Sequence, residues 1–327
     1  MPAFADFAGQ SAHIARLAEE FSTGRFVHAY LFSGPKGTGK RSVARLCAMT
    51  ALCRGAHKPC GVCGPCRRVL GETHPDVHTV LPEKGKKTIG VDALRGVIGE
   101  VATRSFEDGV KVMLVPEAER MTPAAQNCLL KTLEEPPEGT VFFLITDQPG
   151  ALLATIVSRC RIVRFHPLSQ KEAEARLVAL GLERGDAARR ARMAEGCVGQ
   201  ALAIDEAHLE LRRTLTRDVF SVRSPREALA VVNQYKDDKE RAEAALDVLE
   251  CAVRDILLAQ AGAEPLGGAG YDARAEEYAR AVPQTEVLVL AQTVTRARKM
   301  LGSNVAFASA LEMILLKVAE EYTQWRW

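Results

Sequence analysis

The run Ser33-Gly34-Pro35-Lys36-Gly37-Thr38-Gly39-Lys40-Arg41 restricts the fold more tightly than any other feature of this sequence. It stands between an apolar segment, Ala29–Ser33, and a helical pattern that begins near Lys40. Gly34 to Lys40 has the spacing Gly-x-x-x-x-Gly-Lys. Residues without side chains let successive backbone N–H groups wrap an anion, the next helix N-terminus adds partial positive charge, and the lysine reaches terminal phosphates. Such a loop needs a buried strand before it and a helix after it. It therefore predicts a parallel sheet covered by helices, with its ligand at the strand C-termini. Gly34, Pro35, Lys36, Gly37, Thr38, Gly39 and Lys40 are candidate nucleotide-binding residues, a purely structural turn being the alternative. Arg41 breaks the pattern. A hydroxyl that ligates Mg²⁺ belongs at that position, and a guanidinium has no lone pair for a metal, although it can touch phosphate.

Four further apolar runs extend the sheet: Val77–Leu81, Lys111–Val115, Val141–Thr146 and Arg161–Phe165. Unbroken stretches such as VFFLIT suit strands buried on both faces. Helices are predicted at Ile14–Thr23, Lys40–Arg54, Val91–Thr103, Thr122–Glu135 and Leu152–Ser158. Thr122-Pro123 supplies an oxygen cap followed by proline at the first helical position, and Pro136-Pro137 stops that helix.

Lys111–Val115 ends where a hydrolytic domain of this kind presents Asp-Glu, one acid for the Mg²⁺ shell and one to activate water. Here Pro116 takes the first place and Glu117 the second. With Arg41 and Pro116 together, two metal-supporting positions are lost, which points to a degenerate site. Glu117 stands as a doubtful catalytic candidate, a solvent-facing strand-end residue being the alternative.

Cys53, Cys60, Cys63 and Cys66 crowd the segment CRGAHKPCGVCGPC, while the other five cysteines are scattered through apolar contexts. Glycine and proline between the four permit tight turns, and four thiolates make a closed tetrahedral site suited to structural Zn²⁺. An iron–sulfur cluster is the other metal reading, His57 a substitute ligand. The scattered cysteines are expected to be small core residues.

At 327 residues the chain exceeds one ordinary core, and the strand pattern stops near His166. The segment HPLSQKEAEARLVALGLE opens a helical stretch, Arg184–Glu195 a second, and Gly196–Leu202 follows. Three parts are expected: an α/β domain over 1–166, a small helical domain over 167–207 and an all-helical domain over 208–327. The last has long amphipathic patterns at Arg241–Gln260, Gln284–Leu301 and Val305–Tyr322, with a glycine-rich loop at 262–270. The near balance of 43 basic and 41 acidic residues argues against a broad electrostatic face for DNA. Asp6, Arg16, Glu19 and Glu20 interrupt what a secretory leader would keep apolar, and no apolar run spans a bilayer. A cytoplasmic location is expected.

Taken together, these residues resemble the bacterial clamp-loader family, the gamma/tau and delta-prime subunits of DNA polymerase III. The likeness lies in His28-Ala29-Tyr30-Leu31-Phe32 before the loop, the four-cysteine insertion and Thr73-His74-Pro75-Asp76. It continues in Asn127-Cys128-Leu129-Leu130-Lys131-Thr132-Leu133-Glu134-Glu135-Pro136-Pro137 and Ser158-Arg159-Cys160. The resemblance implies an AAA+ P-loop core with a zinc knuckle, a helical lid and a helical collar. It makes Gly34–Lys40 the nucleotide loop, the four cysteines zinc ligands, and Thr146 the polar sensor after the fourth core strand. Arg159 becomes the arginine that reaches a neighbouring subunit's ATP site. Gly199 stands where the motor subunits carry a phosphate-sensing arginine.

A broken home site beside a retained outward arginine resembles delta-prime more than gamma/tau. The family then implies a stator in a hetero-pentameric ring with gamma/tau and delta, acting in the bacterial replisome at the nucleoid. Through the assembled ring it would meet the sliding clamp and primer–template DNA. ATP or ADP in the degenerate loop is implied as possible, Mg²⁺ there as doubtful, and intrinsic ATPase as weak or absent. The alternatives are an active ATP-hydrolysing gamma/tau-like subunit and a free-standing zinc module that binds DNA.

Overall fold

The computed structural model describes residues 4–107, 109–236, 242–266, 273–302 and 305–325. They form two compact units, one of Met1–Gly181 with Glu195–Gln200, the other of Leu182–Ala194 with Ala201–Trp327.

The first unit is built on five parallel strands: β1 (Ala29–Ser33), β2 (Val77–Thr79), β3 (Lys111–Val115), β4 (Thr140–Thr146) and β5 (Arg161–Arg164), in the order β2-β3-β4-β1-β5. Side chains alternate across a strand, so each apolar run feeds two cores. Tyr30, Phe32, Leu114, Phe143 and Ile145 pack on one face with α1 (Ser11–Thr23), α2 (Lys40–Leu52) and α3 (Gly64–Leu70). Leu31, Met113, Val115, Phe142 and Leu144 pack on the other with α4 (Val91–Ala102), α5 (Pro123–Glu134) and α6 (Ala154–Val157). This double burial is why the strands read as continuous apolar runs.

The predicted elements recur with shifted ends. The Thr122 hydroxyl accepts from Ala125 N and starts α5 one residue before Pro123, as the sequence indicates. The helix expected at Leu152–Ser158 shrinks to the single turn of α6. Pro149–Ala151 forms a 3₁₀ turn, and Leu153 N donates to the side chain of Gln126 instead of entering a helix. The second strand ends at Thr79 rather than Leu81, although Val80 N still donates to Leu114 O. After the sheet, α7 (Gln170–Ala179) opens on a capping box in which Ser169 and Glu172 bond reciprocally.

Of the short helices beyond, α7 belongs to the first unit and α8 (Arg184–Met193) to the second, while α9 (Val198–Ala203) spans the division. The second unit continues with α10 (Glu206–Phe220), α11 (Pro225–Tyr235), α12 (Ala242–Gln260), α13 (Ala273–Ala281), α14 (Gln284–Gly302) and α15 (Phe307–Trp325). Arg241, expected to open α12, and the Gly267–Gly270 part of the glycine-rich loop lie outside the described residues. The helices share one apolar core that includes Leu246, Ile256, Tyr278, Leu290 and Leu315. No helix among the described residues is long and apolar enough to cross a membrane.

Arg212, Asp255 and Glu321 are ionisable side chains buried inside this helical unit. Arg212 and Asp255 pair at 2.5 Å, and both are buried. Glu321, on α15, is fully buried, and neither carboxylate oxygen takes a hydrogen bond from the described residues. The Lys317 ammonium 3.5 Å away is shared with Glu286 at 3.0 Å. Burial pushes Glu321 up to about 8. The folded chain thus keeps this proton over a range in which the unfolded chain has released it. Its contribution to stability is whole below the ordinary carboxylate range and is lost as pH rises toward 8. Glu321→Gln should therefore resist urea better than wild type at about pH 9 and show little difference at about pH 4. Equal midpoints at the higher pH would contradict this.

Candidate functional site

The glycine-rich loop leaves β1 beside β4, the two neighbouring strands whose chain connections depart in opposite directions across the sheet, where α/β sheets open a crevice. Gly34 (φ 146°) donates its N–H to Thr146 O at 3.2 Å, and a Cβ there would lie 2.1 Å from Phe165 O, so only glycine fits. Gly39 (φ 88°) turns the chain into α2 without a side-chain cap. Lys40 is buried, and its Nζ donates to Gly34 O (2.6 Å) and Pro35 O (2.7 Å) of its own loop. The Thr38 hydroxyl donates to Pro35 O at 2.8 Å. Burial lowers the Lys40 pKa, opposed by the carboxylates of Asp147 and Glu119. Pro35 and Lys36 are exposed. Arg41 is half-exposed and bonds Glu72 at 3.2 Å.

The chain covers the tip of this loop itself. Gly199 N donates to Gly37 O at 2.8 Å, and a Cβ on Gly199 would lie 2.9 Å from Gly37 Cα. At Gly37 (φ 78°) a Cβ would meet Gln200 N at 2.6 Å, and at Gly39 one would meet the Phe7 ring at 2.7 Å. Gly199 therefore stands at the loop as a backbone neighbour, with no room for a longer side chain while that contact holds.

On the acidic side, the residues divide differently from the sequence pattern. Pro116 is buried, whereas Glu117 adopts a left-handed backbone (φ 52°), is exposed and pairs with Arg120 at 2.5 Å. The turn brings Glu119, not Glu117, toward the loop lysine. Burial raises the Glu119 pKa, the Thr146 hydroxyl bonded to it works in the opposite direction, and nearby Asp147 adds to the rise. Thr146 is buried and also accepts from Gln148 N at 3.0 Å. Glu119 carried no sequence signal beyond its place two residues after the expected acid. Only the reversal at Glu117 turns it inward.

Cys53, Cys60, Cys63 and Cys66 do come together, all four sulfurs within 4.8 Å of one another and Cys53 Sγ 4.0 Å from Cys63 Sγ. A tetrahedron with Zn–S bonds of about 2.3 Å has edges of about 3.8 Å, so the set is close to metal-binding dimensions and too open for disulfides. Cys53 ends α2, Cys63 caps α3 and Cys66 lies within it. Gly55 N and Cys60 N donate to Cys53 Sγ (both 3.3 Å), and Cys63 N donates to Cys60 Sγ (3.4 Å). The N–H groups of Cys63 and then Val62 bring Cys60 down to about 6, while burial raises Cys66. A divalent cation at the centre would hold all four as thiolates. His57 is exposed and outside this group. Beside it, Glu107 takes an ion pair from Arg54 (3.1 Å) and another from Arg68. Of the scattered cysteines, Cys47, Cys160 and Cys197 are buried and Cys128 and Cys251 half-buried, all free thiols.

Arg159 lies away from these groups, just past α6. Its guanidinium is about a third exposed (35%), donates to Thr155 O at 3.0 Å and pairs with Glu134 at 2.5 Å, at the C-terminal end of α5.

Comparison with known proteins bears on this arrangement. Residues 9–169 match the family model described as DNA polymerase III, delta subunit. The DNA polymerase III subunit delta' of Bacillus subtilis (strain 168) is 33% identical over 306 residues, spanning 90% of this chain and 92% of the relative. That of Escherichia coli (strain K12) is 37% identical over 255 residues, spanning 76% and 75%. DNA polymerase III subunit tau of E. coli is 30% identical over 344 residues, spanning 96% of this chain and 53% of tau. With an α/β core on a parallel sheet, a four-cysteine cluster able to hold a metal and a helical second unit, the chain belongs to the AAA+ clamp-loader family as a bacterial DNA polymerase III clamp-loader subunit, homologous to delta-prime and to gamma/tau.

Proposed function

We propose that this chain is a delta-prime-like stator of the clamp loader: it completes a neighbouring subunit's ATP site through Arg159 and hydrolyses little or no ATP itself. The observation that carries this is an asymmetry. Arg159 keeps its guanidinium at the surface, while Lys40 is folded onto its own loop and Arg41 is drawn off to Glu72. A cation brought from another chain stabilises charge that develops on a transferring phosphoryl group.

In this assignment 1–166 is the AAA+ P-loop domain, 167–207 the lid and 208–327 the collar that joins gamma/tau and delta in a five-membered ring. Gly34–Lys40 and Thr146 border a degenerate pocket for ATP or ADP. The four cysteines form a zinc knuckle. The assembled ring, in the bacterial cytoplasm at the replisome, opens the sliding clamp and places it on primer–template DNA.

One observation favours a second reading, an active gamma/tau-like motor: Lys40 is retained, and Glu119 and Asp147 supply carboxylates beside it in place of the missing acid. Lys40→Ala separates the two. As a stator, the chain reassembled with its partners should load clamps at an unchanged rate when Lys40 is alanine, and alone should release no phosphate. A Lys40-dependent fall in loader turnover would instead establish the motor role and reject the stator.

A further inference from the structure

We infer that Glu134 is the in-chain counter-ion of Arg159, holding its guanidinium at rest until a neighbour's terminal phosphate competes for it. This rests on the trans role proposed for Arg159. The pair is direct: Arg159 Nη2 lies 2.5 Å from Glu134 Oε1, with side chains 35% and 49% exposed. Among the described residues, the guanidinium also donates to one carbonyl, Thr155 O at 3.0 Å, within its own helical turn. Arg159 is thus anchored from two elements, and only one anchor carries charge.

The geometry separates two functions of the same surface. α6 fixes where the arginine begins, through Arg159 N donating to Ile156 O. Glu134, across from it on α5, fixes where the cation ends. The pairing is a single oxygen contact, and the planar guanidinium that meets a carboxylate oxygen there meets phosphate oxygens with the same donors. Phosphate from outside must therefore displace Glu134 or share the cation with it, and the carboxylate repels the incoming anion until it does. Glu134 touches neither nucleotide nor reacting atoms in this scheme. It is a positioning residue that sets the threshold at which Arg159 engages.

The test uses the reassembled loader with Glu134→Gln, which keeps shape and removes charge, alongside Arg159→Ala and the double variant. Phosphate release is measured with and without primed DNA. Glu134→Gln should raise the DNA-independent rate about two- to fivefold, the range expected for an exposed ion pair, and so reduce the ratio of DNA-stimulated to basal turnover. In the Arg159→Ala background the same change should do nothing, a result that a merely structural Glu134 would not give. If Arg159→Ala lowers turnover but Glu134→Gln leaves the basal rate unchanged or lower, the counter-ion role is overturned and the trans role stands. If Arg159→Ala itself has no effect, the trans role falls, and this inference with it. Both glutamate and arginine are surface residues, and the melting temperature of each variant confirms that folding is intact.

Discussion

A loader reassembled with Arg159→Ala is expected to lose about tenfold or more of its DNA-stimulated ATP hydrolysis, with clamp loading falling in parallel. The single-site effect of removing a trans arginine is on the order of 10³ or more. The whole ring shows less if its remaining sites keep their own arginines, and more if the sites fire in concert. Arg159→Lys should recover only part of the loss, because an ammonium is a point charge without the fork that grips phosphate oxygens. Assembly should be normal, since the side chain's partners among the described residues are Glu134 and one carbonyl. Nucleotide affinity of the neighbouring site should change less than turnover, as expected for a contact made chiefly in the transition state. Unchanged turnover in a fully assembled ring would remove the trans role. Deleting the whole first unit would not, because scaffold and arginine would vanish together.

The second large effect concerns the metal. Purified protein should carry one zinc per chain, and Cys66→Ser should lose it together with much of the stability of the first unit. Binding to the folded chain alone adds RT ln(1 + [Zn]/Kd), about 4 kcal/mol when free zinc stands 1,000-fold above Kd. For a unit of this size that is on the order of 10 °C in melting temperature. The change should be felt beyond the cysteine segment. Cys53 closes α2, the helix that follows the glycine-rich loop, and Cys63 and Cys66 begin α3. Arg54 and Arg68, both paired with Glu107, tie the same segment to the chain before β3. Cys128→Ser is the control, for its thiol is half-buried and far from the cluster in sequence, and it should keep full zinc content. A chain with no metal and an unaltered melting profile would show that the four sulfurs gather for packing only.

Much of this molecule is legible along the chain, and the reasons are local. β1 and β3 have the bounds read from the sequence, and every residue in them is buried around an apolar centre. Thr122-Pro123 fixes the start of α5, and four cysteines within one short segment can hardly avoid meeting. The glycines of the loop are needed where the backbone takes positive φ or passes close to Phe165. The apolar stretch Leu152–Ser158 overstates α6, because it does not reveal that a distant glutamine claims the N–H of Leu153.

Sequence by itself therefore determined the parallel sheet, the glycine-rich loop that leaves β1 and the cysteine cluster. Each is set by residues close together in the chain, through periodicity, backbone freedom or ligand spacing. Tertiary structure alone decided which acid faces Lys40, because a left-handed turn at Glu117 sends Glu119 inward. It also decided that Gly199 closes on Gly37 and that Glu134 holds Arg159. Those pairings join residues separated by whole elements, and their geometry depends on how helices pack on the sheet rather than on any local preference.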